Sequence, residues 1–199
     1  MEHYRVEILP DPPTPADIYK AVWNFFLELV QTVGLSILLY LAIDSVSARI
    51  RVESISMQPT LYEGDMVIVN KLAYRWGEPK RGDIIIFEYP PDPKQEPYIK
   101  RVIGLPGERV RIADGKVYVN DVLQTEPYLK VTTMRGGEWT VPEGALFVLG
   151  DNRNNSSDSR AWGMVPLENV IGKALVIYWP PRDWAVLNMP SAAAAAEAP

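Results

Sequence analysis

The chain has 199 residues, enough for one sizeable core with appendages. Its 25 Asp and Glu outweigh 20 Lys and Arg without gathering into runs of one sign, so nucleic acid is not an expected partner. Cysteine is absent, which removes thiol nucleophiles, thiolate metal sites and disulfides together. The sole histidine, His3, lies ahead of the apolar segment, so neither a Ser-His-Asp triad nor a multi-histidine metal site can be assembled.

Asp11-Pro12-Pro13 closes an N-terminal stretch too rich in proline for helix. Thr14 then reads as an N-cap, Pro15 as the first helical residue and Asp17 as the carboxylate three residues on. From Ala21 to Ile43 the chain is apolar over about 23 residues, roughly 34 Å as a helix, against a hydrocarbon core of about 30 Å. Asn24, Glu28 and Gln31 recur at helical spacing, so an interfacial or core helix is the alternative to a span. In a span Glu28 belongs near one interface or against a partner, because a carboxylate at the bilayer centre costs at least ~2.5 kcal/mol. No small-residue cleavage site ends the run, so an uncleaved anchor over residues 21–46 is expected, after an N-terminal segment 1–20. Arg5 and Lys20 before it and Arg49 and Arg51 after it leave orientation undecided by charge.

Beyond Arg51 short strand-like runs alternate with turn signals. Met66 to Asn70, Asp83 to Phe87, Tyr98 to Leu105, Val110 to Ala113, Lys116 to Val119, Ala145 to Leu149 and Ala174 to Trp179 are rich in β-branched and aromatic side chains. Asp114-Gly115 between two such runs is the strongest local hairpin signal. The expectation is a mostly β domain over residues 47–190, with a smaller insertion over 107–145 and a disordered alanine-rich tail, 191–199.

Four segments carry candidate chemistry. In Glu53 to Leu61 two serines stand two apart before Pro59, placed to address one site. A serine hydroxyl needs a neighbour to remove its proton, and with histidine excluded the candidates are carboxylates and lysines. Only about one lysine in two thousand is neutral at pH 7 at its reference pKa, so a lysine base must be buried. Tyr98 to Ile103 offers an apolar strand of that kind, with Lys100 and Arg101 on opposite faces; an edge position with the ammonium in solvent is the alternative. Lys80 to Phe87 reads as a turn feeding a buried strand. Gly150 to Arg160 has hardly an apolar group, and is either a solvated loop or a closed hydrogen-bond network holding a site rigid.

In order and form these segments resemble the motifs of the bacterial-type signal peptidase I family: S-x-S-M-x-P-T-L at Ser54 to Leu61, R-G-D-I followed by two apolar residues and F at Arg81 to Phe87, K-R-V-I-G-x-P-G at Lys100 to Gly107, and G-D-N-R-x-N-S-x-D-S-R at Gly150 to Arg160. The resemblance implies an antiparallel β-sheet catalytic domain of signal peptidase I type with a small β-hairpin insertion, preceded by one N-terminal transmembrane helix. It implies Ser56 as nucleophile, Lys100 as general base, and the Ser54 hydroxyl with the Ser56 N–H as oxyanion hole. Ser156 would bond the lysine, with Asp151, Arg153, Asp158 and Arg160 in support. Asn154 stands where the family often has aspartate. Substrates would be the signal peptides of exported preproteins, cut after Ala-x-Ala, with Ile55, Met57, Ile84, Ile86 and Ile99 as candidate pocket walls, the alternative for each being a place in the core. Neither metal nor organic cofactor is implied. The partners expected are the preprotein and the lipid bilayer, and the protein would be single-pass in the plasma membrane, N-terminus in the cytoplasm and catalytic domain outside; the sequence leaves its oligomeric state open, with a monomer as the default. A catalytically silent, membrane-tethered β-domain that binds signal peptides is the rival from another class. Trp179 and Trp184 could seat the domain on the membrane, and Ala192 to Ala196 could serve as a self-trimming site.

Overall fold

A computed structural model describes residues 14–187; the N-terminal segment before Thr14, the Asp17 side chain and the alanine-rich tail lie outside the described residues. The chain divides between Asp44 and Ser45 into two compact units.

Helix α1, Pro15–Val46, opens where the proline and the Thr14 cap place it, with the Ile18 N–H bonded to the Thr14 carbonyl at 3.1 Å. Ile18–Val46, 29 residues that include an 18-residue window of mean hydropathy 1.9, is long and apolar enough to cross a membrane. Thr32 and Ser36 interrupt the apolar run but bond back to the carbonyls of Glu28 and Thr32 at 2.8 and 2.7 Å, so their hydroxyls are satisfied within the helix.

The second unit is β throughout its core, and every strand pair is antiparallel. The strands are β1 (Ser47–Arg51), β2 (Met66–Asn70), β3 (Ile84–Phe87), β4 (Tyr98–Gly104), β5 (Arg109–Ala113), β6 (Lys116–Val119), β7 (Val122–Leu123), β8 (Gly137–Thr140), β9 (Ala145–Leu149), β10 (Val165–Pro166), β11 (Val170–Trp179) and β12 (Ala185–Val186). The larger sheet runs β1-β2-β11-β3-β4-β9-β10, with β12 on β11, and the smaller runs β7-β6-β5-β8. The fold class is the one expected, mostly antiparallel β behind an apolar N-terminal helix.

β3 is buried on both faces: Ile84 and Ile86 join Met57, Leu61, Val67 and Ile99 in one core cluster, while Ile85 and Phe87 join Val102, Leu146 and Val148 in another. A third cluster, with Val110, Val117, Phe147 and Leu149, ties the small sheet to the large one. The Asp114-Gly115 signal forms the β5–β6 turn, with φ of 50° and 74°, both in the left-handed region that a two-residue turn of this kind requires.

Five strands, β1, β7, β8, β10 and β12, were not marked by the sequence, and β11 is longer than expected. β1 was not marked by the sequence because Ser-Ala-Arg-Ile-Arg is an exposed edge with no apolar run. β11 begins four residues before Ala174 and passes through Gly172, a residue that suggests a break. An added Cβ there would stand 2.5 Å from the Asn70 carbonyl oxygen, so the glycine permits the close approach of β2.

Candidate active site

β4 places Lys100 and Arg101 on opposite faces of a strand that is covered on both sides. Both cations are buried, at 3% and 6% exposure. Ser56 reaches Lys100 from a segment that leaves β1 in extended form at Val52 and turns at Ser56. The turn is closed by Gln58 N–H to the Ile55 carbonyl at 3.2 Å and Leu61 N–H to the Met57 carbonyl at 3.0 Å. Met57 and Leu61 are fully buried, and they pin that turn to the core.

The Lys100 Nζ donates to Ser56 Oγ at 2.8 Å and to the Ile99 carbonyl at 2.9 Å, and Ser54 Oγ lies 3.1 Å from Ser56 Oγ. Burial pushes the Lys100 pKa down to about 8, although Asp158 and Asp151 pull the other way. Among the described residues no carboxylate forms a salt bridge with this ammonium. At a pKa of about 8 roughly a tenth of the lysine is neutral at pH 7, some two hundred-fold more than at the reference value. The Tyr98 ring, stacked on Tyr89 at 4.4 Å, flanks the ammonium with its centroid 5.3 Å away.

Arg101 has the opposite environment. It makes a bidentate pair with Asp151, Nε to Oδ1 at 2.8 Å and a terminal nitrogen to Oδ2 at 2.6 Å. Thr60 donates to the same carboxylate at 2.5 Å, and the guanidinium lies 3.9 Å from the Tyr128 ring centroid. Burial alone would lower the Arg101 pKa, but the hydrogen bonds and charge of Asp151 outweigh it and hold it above its usual value.

The polar segment 150–160 is a closed network, not a solvated loop. Asp158 caps the four-residue helix α2, Ser159–Trp162, bonds the Arg160 guanidinium at 2.8 and 2.7 Å, and accepts from the Gly150 N–H at 3.1 Å. Arg160 also bonds the Arg153 carbonyl at 2.6 Å. Arg153, with a fully buried side chain, reaches the Gly150 carbonyl at 3.2 Å and pairs with Glu126 at 2.8 and 2.5 Å. The network holds the Ser56 segment directly: Asn152 donates its backbone N–H to the Ser56 carbonyl at 3.0 Å and its side chain to the Ile55 carbonyl at 3.1 Å. Asn154 donates to the Thr132 carbonyl at 3.0 Å and accepts from the Met134 N–H at 2.9 Å, a double role that an ionised aspartate could only half fill.

Ser156 differs from expectation. Its hydroxyl is buried without a hydrogen-bond partner, because the Lys100 ammonium turns instead to Ser56 and to its own strand carbonyl. It packs at Gly150, where an added Cβ would lie 2.2 Å from Ser156 Oγ and 2.4 Å from the Ser56 carbonyl oxygen. The five pocket candidates also separate. Ile55, Ile86 and Ile99 line a cavity of about 610 Å³ whose wall also includes Ser54, Ser56 and Lys100, whereas Met57 and Ile84 are fully buried in the core and are not on its wall. Thr60, Glu126, Tyr128 and Thr133 were not singled out from the sequence. Charge counting could have found Glu126, since three arginines, 101, 153 and 160, must be balanced and the motif itself supplies only Asp151 and Asp158.

Fold and site together describe a mostly β protein in which a buried lysine of lowered pKa meets a serine hydroxyl on the wall of a mixed polar and apolar cavity, an arrangement able to carry out acyl transfer. Comparison with known proteins gives the class a family. The model of the family described as signal peptidase, peptidase S26, matches residues 24–179. The chain is 41% identical to signal peptidase I of Leptolyngbya laminosa, over 90% of this chain and 92% of that one. It is 42% identical to probable signal peptidase I-2 of Synechocystis sp. (strain PCC 6803), over 79% and 75%. A crystal structure of a signal peptidase I from Enterococcus faecalis V583 matches at 37% identity and a TM-score of 0.45, covering 49% of this chain and 97% of that one. The chain belongs to the signal peptidase family, peptidase S26.

Proposed function

We propose that this protein is a membrane-tethered serine endopeptidase that removes N-terminal signal peptides from exported preproteins after Ala-x-Ala-type sites, with Ser56 as nucleophile and Lys100 as general base. The observation that carries this reading is the 2.8 Å contact between Lys100 Nζ and Ser56 Oγ in a buried position where, among the described residues, no carboxylate forms a salt bridge with the ammonium. Neutral Lys100 takes the hydroxyl proton as Ser56 Oγ bonds to the scissile carbonyl carbon. The oxyanion accepts from the Ser56 N–H and the Ser54 hydroxyl, donors of a kind typically worth several kcal/mol in the transition state. Lys100, now an ammonium, gives its proton to the leaving amine as the C–N bond breaks. Water then attacks the acyl carbon as Lys100 accepts its proton, and Lys100 returns that proton to Ser56 Oγ as the ester C–O bond breaks.

Asp151, Arg153, Asp158 and Arg160 keep the Ser56 carbonyl and β4 in register, and Ser156 closes the packing behind the nucleophile. The preprotein would lie extended between residues 49–54 and 96–99, which line the cavity, and Ile55, Ile86 and Ile99 suit small aliphatic side chains. Helix α1 is the anchor, a single span in the cell membrane with the β unit outside. Purified full-length protein in lipid should cleave an Ala-x-Ala preprotein at that site and Ser56→Ala should not; cleavage by Ser56→Ala at the wild-type rate would overturn the assignment.

A further inference from the structure

We propose that Glu126, seconded by Tyr128, is a positioning residue for the reaction, and that the segment 124–136 is a strap that holds the two reacting side chains at their working distance. This rests on the Ser56–Lys100 reading above. The strap has no helix or strand of its own. Its ends belong to the small sheet, with Gln124 N–H bonded to the Val117 carbonyl at 2.9 Å and Thr133 N–H to the Gly115 carbonyl at 3.4 Å, and its middle lies on the site network.

Three buried arginines need three carboxylates. Arg101 has Asp151 and Arg160 has Asp158, both from the same short motif, but the salt bridge of Arg153 among the described residues is to Glu126, 27 residues away. Thr133 adds a bond to Arg153 at 3.3 Å, and Asn154 fastens the loop to strap backbone at both Thr132 and Met134. From Arg153 one bond leads to the Gly150 carbonyl, and Gly150 is in contact with the Ser56 carbonyl. On the other side Tyr128 stacks on Arg101, the residue next to Lys100. The strap therefore reaches both partners indirectly, Ser56 through Arg153 and Gly150 and Lys100 through Arg101. Removing the Glu126 charge leaves a fully buried cation without a counterion, and the loop can relieve that only by moving Arg153 towards water, taking Gly150 with it. None of these groups reaches the cavity wall, so the strap acts on the geometry of the reacting pair and not on substrate binding.

The test is steady-state cleavage of an Ala-x-Ala peptide by the full chain in detergent micelles, with folding monitored by circular dichroism. In Glu126→Gln, kcat should fall about 10- to 100-fold with KM within about 2-fold, the size expected when a reacting group is displaced by a fraction of an ångström to an ångström. Glu126→Asp, which restores the charge, should recover part of the loss. Wild-type kcat in folded Glu126→Gln, a loss matching the unfolded fraction, or no recovery in Glu126→Asp would each overturn the proposal. If Glu126→Gln does not fold, Tyr128→Leu carries the same test with the Glu126–Arg153 pair intact: a fall in kcat at constant KM supports the strap, and wild-type kcat overturns it. Wild-type protein that cleaves nothing, or Ser56→Ala that still cleaves, would instead bring down the functional reading, and this one with it.

Discussion

Lys100 and Arg101 are neighbours on one strand, equally buried, and their environments drive them apart. On the Arg101 side a carboxylate, a hydroxyl and an aromatic face meet the guanidinium, and the charge is held. On the Lys100 side the ammonium meets a serine oxygen, a backbone carbonyl and a tyrosine ring, and the charge is penalised. Burial by itself neutralises a cation, while burial with a matched anion preserves it. Two residues of the same sign can thus have opposite jobs one position apart. In the proposed mechanism the lysine is the base, while the arginine is anchored to Asp151 of the neighbouring loop.

Breaking the lysine side should give the largest effect. Lys100→Met should lower kcat/KM by at least ~1,000-fold, as expected when one member of a unit that acts together is removed. The same variant should be more stable at pH 7. The folded pKa of about 8 lies below the unfolded value of about 10.4, so between them the unfolded chain binds more protons and stability rises with pH across that window. Below pH 8 the wild type carries the whole cost, on the order of 3 kcal/mol, which Lys100→Met removes. Chemical denaturation at pH 7 and pH 10 checks this: the variant's advantage should be clear at the first and nearly gone at the second.

Breaking the arginine side should do the reverse to stability. Arg101→Met leaves Asp151 buried without its cation and should cost about 3–5 kcal/mol, seen in the same denaturation curves. A smaller effect sharpens the comparison within the loop. Asn154→Asp keeps the acceptor for the Met134 N–H but sets a carboxylate against the Thr132 carbonyl, and should lower stability by about 1 kcal/mol with KM unchanged.

How much of this was legible in the sequence depended on the range of the interaction. The β5–β6 turn is set by two adjacent residues whose backbone needs are local, and it appears where Asp114-Gly115 places it. The helix start at Thr14-Pro15 is local in the same way. The absence of cysteine and of a usable histidine narrowed the candidate bases to lysines and carboxylates, and Lys100 was a candidate by its apolar flanks, but it was the resemblance of the four ordered motifs that named Ser56 and Lys100. Glu126 and Thr60 were not legible, because they pair with Arg153 and Asp151 across 27 and 91 residues and sit in segments with no periodicity. Met57 and Ile84 were put on the pocket wall because apolar residues beside a motif look alike in sequence. Which of them faces a cavity depends on what covers the opposite face of the sheet. The Ser156 hydroxyl shows the same limit at finer scale, since its neighbours are fixed by how Gly150 packs against Ser56 and not by the motif spacing.

The central claim is that Lys100 is a base that works because it is buried, and the pH dependence of kcat/KM for an Ala-x-Ala peptide tests it most directly. The expected profile rises with increasing pH as a single deprotonation with its midpoint near 8, following the free-enzyme lysine. A profile that is flat from pH 6 to 9, or one whose midpoint stays where it is in a Lys100→Met variant with residual activity, would contradict it.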